Sequence, residues 1–103
     1  MRRVIIESPY RGDVERNVAY ARLALADTIS RGEAALCSHI LYTQVLDDGV
    51  LNQAARGILI GFEWYKVAQL CAVYEDYGVT TGMQAGLMEA ARLGVPIVRR
   101  KIL

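Results

Sequence analysis

The sequence predicts an α/β chain, a three-layer flavodoxin-like or Rossmann-like fold. Its parallel four-stranded sheet runs in the order 2-1-3-4 with helices on both faces. Three observations carry this expectation. Short apolar runs at residues 4–7, 34–37, 70–74 and 96–98 do not alternate with polar residues, as strands covered on both faces do not. Between them lie three longer segments with helical periodicity and recognisable start and stop residues. Each of the first three runs opens into a polar loop, which is the pattern at the carboxyl edge of an open parallel sheet.

The elements follow in order. Val4, Ile5, Ile6 and Glu7 form the first strand, and Ser8-Pro9-Tyr10-Arg11-Gly12 the turn after it. Asp13 is the expected N-cap of a helix over residues 13–31, because its carboxylate can accept a free amide of the first turn. Val14, Val18, Ala21, Leu25 and Ile29 recur at helical spacing and form its expected apolar stripe, and Gly32 ends it. A short buried strand is expected at 34–37, then an aperiodic loop over 38–49. The second helix is expected over 52–68, with Ile58, Phe62, Tyr65 and Val67 on or near one face. Gly57 and Gly61 each cost about 1 kcal/mol against alanine inside a helix, so close packing or ligand approach is expected there. A third buried strand at 70–74 leads to the loop 75–81, and Thr80 or Thr81 caps a helix over 82–93. Its expected inward stripe is Met83, Leu87, Ala90 and Ala91, and Gly94 ends it before the last strand.

A chain of 103 residues fits a single domain spanning 1–103. Twelve Lys and Arg against eleven Asp and Glu give a net charge of +1, which offers no footprint for a nucleic-acid polymer. Arg99, Arg100 and Lys101 are expected to be solvated. The longest apolar run is far too short to cross a membrane. Cys37 and Cys71 lie in apolar runs without a CxxC, and His39 has no second histidine at ligand spacing. Free buried thiols in a reducing compartment, a cytoplasmic location, and no metal or cofactor are therefore expected. A hydrophobic share of 53% exceeds what so short a chain can cover by itself, and this predicts a homo-oligomer, a dimer or larger.

The first-strand turn, the loop 38–44 and the loop 75–82 should meet at one rim beside the switch point between strands one and three, where a small-molecule pocket is expected. Arg11 has the fork that grips a phosphate or carboxylate, or it pairs with Asp13 or Glu15. Tyr10 and Tyr42 either stack on a base or pack at the core's edge. His39 is the one imidazole, a catalyst or a hydrogen-bonded structural residue. Glu63 is read as a solvated helix-face carboxylate unless it is partly buried.

Four pieces of the chain, VIIESPYRGD, CSHILYTQVLDD, GFEWYKVAQ and YGVTTGMQAGLMEAARLGVPI, carry a resemblance over nearly its whole length. The sequence resembles the nucleoside 2-deoxyribosyltransferase-like superfamily, which includes deoxynucleotide N-hydrolases and short bacterial and phage proteins with an SPYRGD opening and an HxLY loop. The resemblance implies cleavage of an N-glycosidic bond through a glutamate nucleophile near the start of the third helix, with aspartates on the second helix and at the third strand. Carboxylates suit that chemistry because an oxocarbenium-like centre needs a neighbouring anion while the base leaves protonated. At the three matching positions this chain has Gly86, Gly61 and Gln69.

The expected function is accordingly a binding protein for a nucleotide or nucleotide-derived ligand, with a deoxyribosyltransferase-like pocket that lacks the usual carboxylates. Ser8, Arg11 and Gly12 would meet phosphate, Tyr10, His39 and Tyr42 sugar and base, and Gly82 and Met83 complete the set. The rival is an N-glycosidase or deoxyribosyltransferase using a displaced glutamate: Glu89, one turn beyond Gly86, or Glu75, or Glu63. A third reading is a structural oligomer with a vestigial pocket.

Overall fold

In the computed structural model, which describes residues 1–103, the chain runs β1 (Arg3–Glu7), α1 (Val14–Ser30), β2 (Ala34–Leu36), two 3-10 turns (Ser38–Ile40 and Tyr42–Gln44), α2 (Leu51–Tyr65), β3 (Leu70–Tyr74), α3 (Thr81–Arg92) and β4 (Ile97–Arg100). All strand pairs are parallel and the sheet order is β2-β1-β3-β4. The order reverses at β1, so the carboxyl ends of β1 and β3 flank the switch point.

The central strands divide their side chains between two cores. On one face Val4, Ile6, Leu70, Ala72 and Tyr74 pack with Tyr20, Ala21 and Ala24 of α1. On the other, Ile5 and Cys71 pack with Tyr65 of α2 and Ala90 of α3. This is the three-layer arrangement that the sequence predicts. The helix starts follow expectation as well. Asp13 accepts from the Arg16 amide, and Thr80 accepts from the Met83 amide while its own amide points at the Met83 sulfur. No helix is long and apolar enough to cross a membrane.

Several expectations are corrected. The 34–37 run forms a strand only over Ala34–Leu36, and those three residues are not buried, because nothing pairs beyond them at the sheet's edge, whereas Cys37 is. Helix α1 is rotated from its apolar stripe: Asn17, Tyr20, Ala21, Ala24 and Thr28 face inward, while Val14 and Ile29 are exposed. The inward polar groups are satisfied, Asn17 by the Tyr10 and Arg11 carbonyls and Thr28 by the Ala24 carbonyl. Helix α2 ends earlier than expected, and Ile58 and Val67 lie exposed while Ala54, Gly61 and Tyr65 are buried. On α3, Gly86 takes the inward place expected of Ala91.

The chain-end cations are not simply solvated. Arg100 is buried and forks onto both carboxylate oxygens of Glu33 at 2.9 and 3.0 Å, with the Tyr74 hydroxyl as a further partner. Arg99 pairs with Glu75. The Arg100 guanidinium holds the Glu33 carboxyl below its usual range. Both cysteines are free and buried, and burial pushes each thiol up to about 11.

Candidate functional site

The turn after β1 begins inside the protein and ends outside it. Ser8 is fully buried, Tyr10 is half-buried, and Arg11 and Gly12 are exposed. Gly12 has φ +99°, a left-handed conformation that suits glycine and lets the chain reverse into α1. The segment after β2 coils through its two 3-10 turns and brings His39 and Tyr42 towards this turn. The first turn of α3 approaches from the other side.

Together they enclose a cavity of about 430 Å³ at the carboxyl end of the sheet. Ser8, Tyr10, Arg11, His39, Tyr42, Gly82 and Met83 all line it. The volume lies within the range of small-molecule sites. A wider, more open cleft of about 830 Å³ adjoins it and shares Tyr10, Arg11 and Asp48, with Gly12 on its wall.

The lining has a distinct chemistry. The Tyr10 and His39 rings lie nearly parallel, 9° apart in plane with centroids 5.9 Å apart, and form an aromatic wall. Burial pushes the His39 imidazole below its ordinary value, with Asp48 acting weakly against that, so the ring is neutral at pH 7. Its Nε2 is buried without a hydrogen-bond partner, and so is the Ser8 hydroxyl. Such groups cost free energy when left unpaired and favour a polar guest. At the mouth, Arg11 does not pair with Asp13 or Glu15 but donates from Nε to Asp48 at 2.8 Å. Tyr42 accepts a hydrogen bond from the Trp64 indole, which fixes it against α2.

The three candidate displaced glutamates lie outside this cavity's lining. Glu89 pairs with Arg92 on α3, Glu75 pairs with Arg99 of β4, and Glu63 is exposed and paired with Lys66. A Cβ at Gly61 would lie 3.5 Å from the Ser38 side chain, an ordinary contact, so packing there does not require the glycine expected for it.

One carboxyl that the sequence reading passed over lies beside the site. Glu7, the last residue of β1, is 6% exposed and rests against α3 at Gly86. A Cβ at position 86 would sit 2.4 Å from the Glu7 carboxyl carbon and 2.5 and 2.6 Å from its oxygens. Any side chain at position 86 would displace the carboxyl from this seat. Tyr65 donates its hydroxyl to Glu7 Oε2 at 2.9 Å and also lies 3.5 Å from the Cys71 sulfur. Burial pushes the Glu7 carboxyl up to about 8, with the Tyr65 hydrogen bond opposing, so it is largely an uncharged acid at pH 7. The sequence signal was available: a charged residue closing an apolar, doubly covered strand, together with a glycine inside a helix.

Comparison with known proteins gives three results. Residues 2–100 match the family described as Domain of unknown function (DUF7768), and the chain belongs to that family. No curated protein matches significantly. Among solved structures, a 2-deoxyribosyltransferase from the psychrotolerant bacterium Bacillus psychrosaccharolyticus is similar at a TM-score of 0.75. Their identity is 15%, over 96% of this chain and 72% of that one. At that identity the likeness is one of fold.

Proposed function

We propose that this DUF7768 member binds a nucleotide or nucleotide-derived ligand in the 430 Å³ cavity beside the switch point. One observation carries the reading: a single cavity gathers a flat aromatic pair, two buried unpartnered polar atoms and a guanidinium at its mouth. Those are the complements of a base, a sugar and a phosphate. Tyr10, His39 and Tyr42 meet base and sugar, Ser8 lies at the buried end, and Arg11 takes the phosphate after releasing Asp48. Gly12, which lines only the open cleft, serves the turn rather than the ligand. The fold neighbour is described as a biocatalyst for the synthesis of nucleosides, which supports this ligand class.

The reading keeps the pocket without the usual catalytic carboxylates, since Gly86, Gly61 and Gln69 stand where the resemblance expects them and Glu89, Glu75 and Glu63 are tied up in ion pairs outside the cavity. It also keeps a homo-oligomer in the cytoplasm. Leu51, Ile58, Leu59 and Trp64 leave an apolar surface on α2 that suits a second copy, and a monomeric mass by light scattering at micromolar concentration would remove that part.

The test is a thermal-shift screen over nucleosides, nucleotides, dinucleotides and cyclic nucleotides, with chromatography of each hit. A hundredfold excess over Kd adds about 2.7 kcal/mol of stability, which a melting curve resolves readily. A shift without free base is the expected result. Base release would replace the binding reading with an N-glycosidase, and no shift with any compound would leave the structural oligomer.

A further inference from the structure

The contact between Glu7 and Gly86 has no role in an ordinary sheet-helix core. A buried uncharged carboxyl needs partners for its oxygens and its proton, and this one has the Tyr65 hydroxyl alone, with no cation touching it. The titratable groups around it are Tyr65 from α2, Cys71 from β3 and Cys37 at the end of β2. Burial raises all three, so none is charged at pH 7. The face of α3 turned to it presents Met83, Gly86 and Ala90. A leucine or methionine at position 7 with alanine at 86 would fill the same space without a polar group. The chain instead keeps an acid there and gives up a side chain on α3 to hold it.

The location suggests a purpose. Glu7 is bonded directly to Ser8, whose buried hydroxyl lines the cavity without a partner. Gly86, on which it rests, is next to Ala85 and one turn along α3 from Met83, and both of those line the same cavity. Tyr65, its one hydrogen-bond donor, belongs to the helix that contributes Gln53, Ala54, Gly57 and Ile58. The three elements that carry these walls therefore touch one carboxyl group outside the lining.

We propose that Glu7 is a positioning residue that holds the floor of this cavity, and that it does so only while it carries a proton. The uncharged acid, seated in the notch at Gly86 and held by the Tyr65 hydroxyl, fixes Ser8 and the first turn of α3 relative to α2. Loss of the proton places an anion in an apolar seat with one hydrogen bond, and the least costly response is for α3 and the β1 terminus to separate so that water reaches it. Burial holds that proton up to about pH 8, so the floor is set at neutral pH and loosens in mild alkali. The consequence for a ligand rests on the proposed function, but the behaviour of the floor does not.

The experiment therefore uses no ligand. The chain has three methionines, so methyl-labelled methionine gives a spectrum of three peaks. Met83 is fully buried on the cavity wall, whereas Met1 and Met88 are exposed and serve as internal controls. Across pH 6 to 9.5 the Met83 methyl should shift or broaden with a midpoint near 8, with the controls still. In Glu7→Gln, which keeps an uncharged acceptor for Tyr65, the Met83 peak should stay fixed at its low-pH position. Gly86→Ala should move the peak toward its high-pH position already at pH 6. If Gly86→Ala does not fold, the pair of wild type and Glu7→Gln decides alone. A Met83 peak that is constant in the wild type, or that titrates equally in Glu7→Gln, overturns the proposal. Failure of every nucleotide to bind would leave this result standing and remove only the ligand reading.

Discussion

Two glutamates are buried in this small protein, one on each face of the sheet, and they have opposite fates. Glu33, on the α1 side, is 7% exposed and receives a two-pronged Arg100 as well as Arg2. Around it Tyr74 connects Arg100 to Thr28 and Asp27, so the network is almost saturated, with Arg100 Nε the one buried polar atom left over. Glu7, on the α2 and α3 side, is buried as deeply and has only the Tyr65 hydroxyl. The first stays ionised below its ordinary range, and the second stays protonated far above it. A buried carboxylate with its cation ties the C-terminal strand to the rest of the chain. A buried acid without one is a cost retained beside a cavity, and perturbed groups of that kind concentrate at functional sites.

The largest effect should come from breaking the saturated side. Arg100→Met strands a Glu33 carboxylate whose one remaining cation, Arg2, is mostly exposed, and should cost about 4 kcal/mol in urea unfolding at pH 7. Ligand binding titrated well below the variant's Tm should survive, because none of these residues lines the cavity. The other side should respond with the opposite sign. The unfolded chain loses the Glu7 proton near 4.5, and the folded chain keeps it to about 8. Between those values the unfolded state binds fewer protons, so stability falls as pH rises, by about 1.4 kcal/mol per unit, and levels off above. Glu7→Gln should remove that slope and be more stable than the wild type by about 3 kcal/mol at pH 7. Parallel wild-type and variant curves from pH 5 to 9 would refute it. Gly86→Ala tests the same contact from α3, and the overpacking should cost about 2 kcal/mol by the same unfolding assay. Combined with Glu7→Ala, which vacates the space, the alanine at 86 should cost far less, a coupling that a double-mutant cycle reads directly.

The same contrast marks how far the sequence could be read. Strand order, the switch point and the caps at Asp13 and Thr80 were legible because they follow from local pattern and chain handedness. Seven of the eight residues expected to bind ligand were also brought to one cavity, since each follows a strand end or opens a helix. The two glutamates were not legible. Arg100 looked like one of three adjacent cations because its partner lies 67 residues away in sequence. Glu7 looked like the polar end of a strand, and its burial depends on a glycine on a helix formed much later in the chain. The rotation of α1 has the same origin. Apolar spacing favoured Val14 and Ile29, but Asn17, donating to the Tyr10 and Arg11 carbonyls, and Thr28, hydrogen-bonded to the Ala24 carbonyl and the Tyr74 hydroxyl, made polar residues the better interior.

The smallest structural effect, and the sharpest functional one, belongs to the exposed counterpart of the Glu33 pair. Arg11 and Asp48 make one charged contact at the cavity mouth, with the arginine side chain 68% exposed. Water screens such a pair, so it adds little to folding, and Arg11→Ala should leave the unfolding midpoint unchanged. Asp48 nevertheless competes with any anion for the same guanidinium. Asp48→Asn should therefore tighten binding of a nucleoside 5′-monophosphate several-fold, while Arg11→Ala should weaken it about tenfold, the scale of a charge-assisted hydrogen bond. Neither change should affect the matching nucleoside, which offers no phosphate. Calorimetric titration of the monophosphate and nucleoside against both variants separates the contributions, and equal losses for the two compounds would move the phosphate away from Arg11.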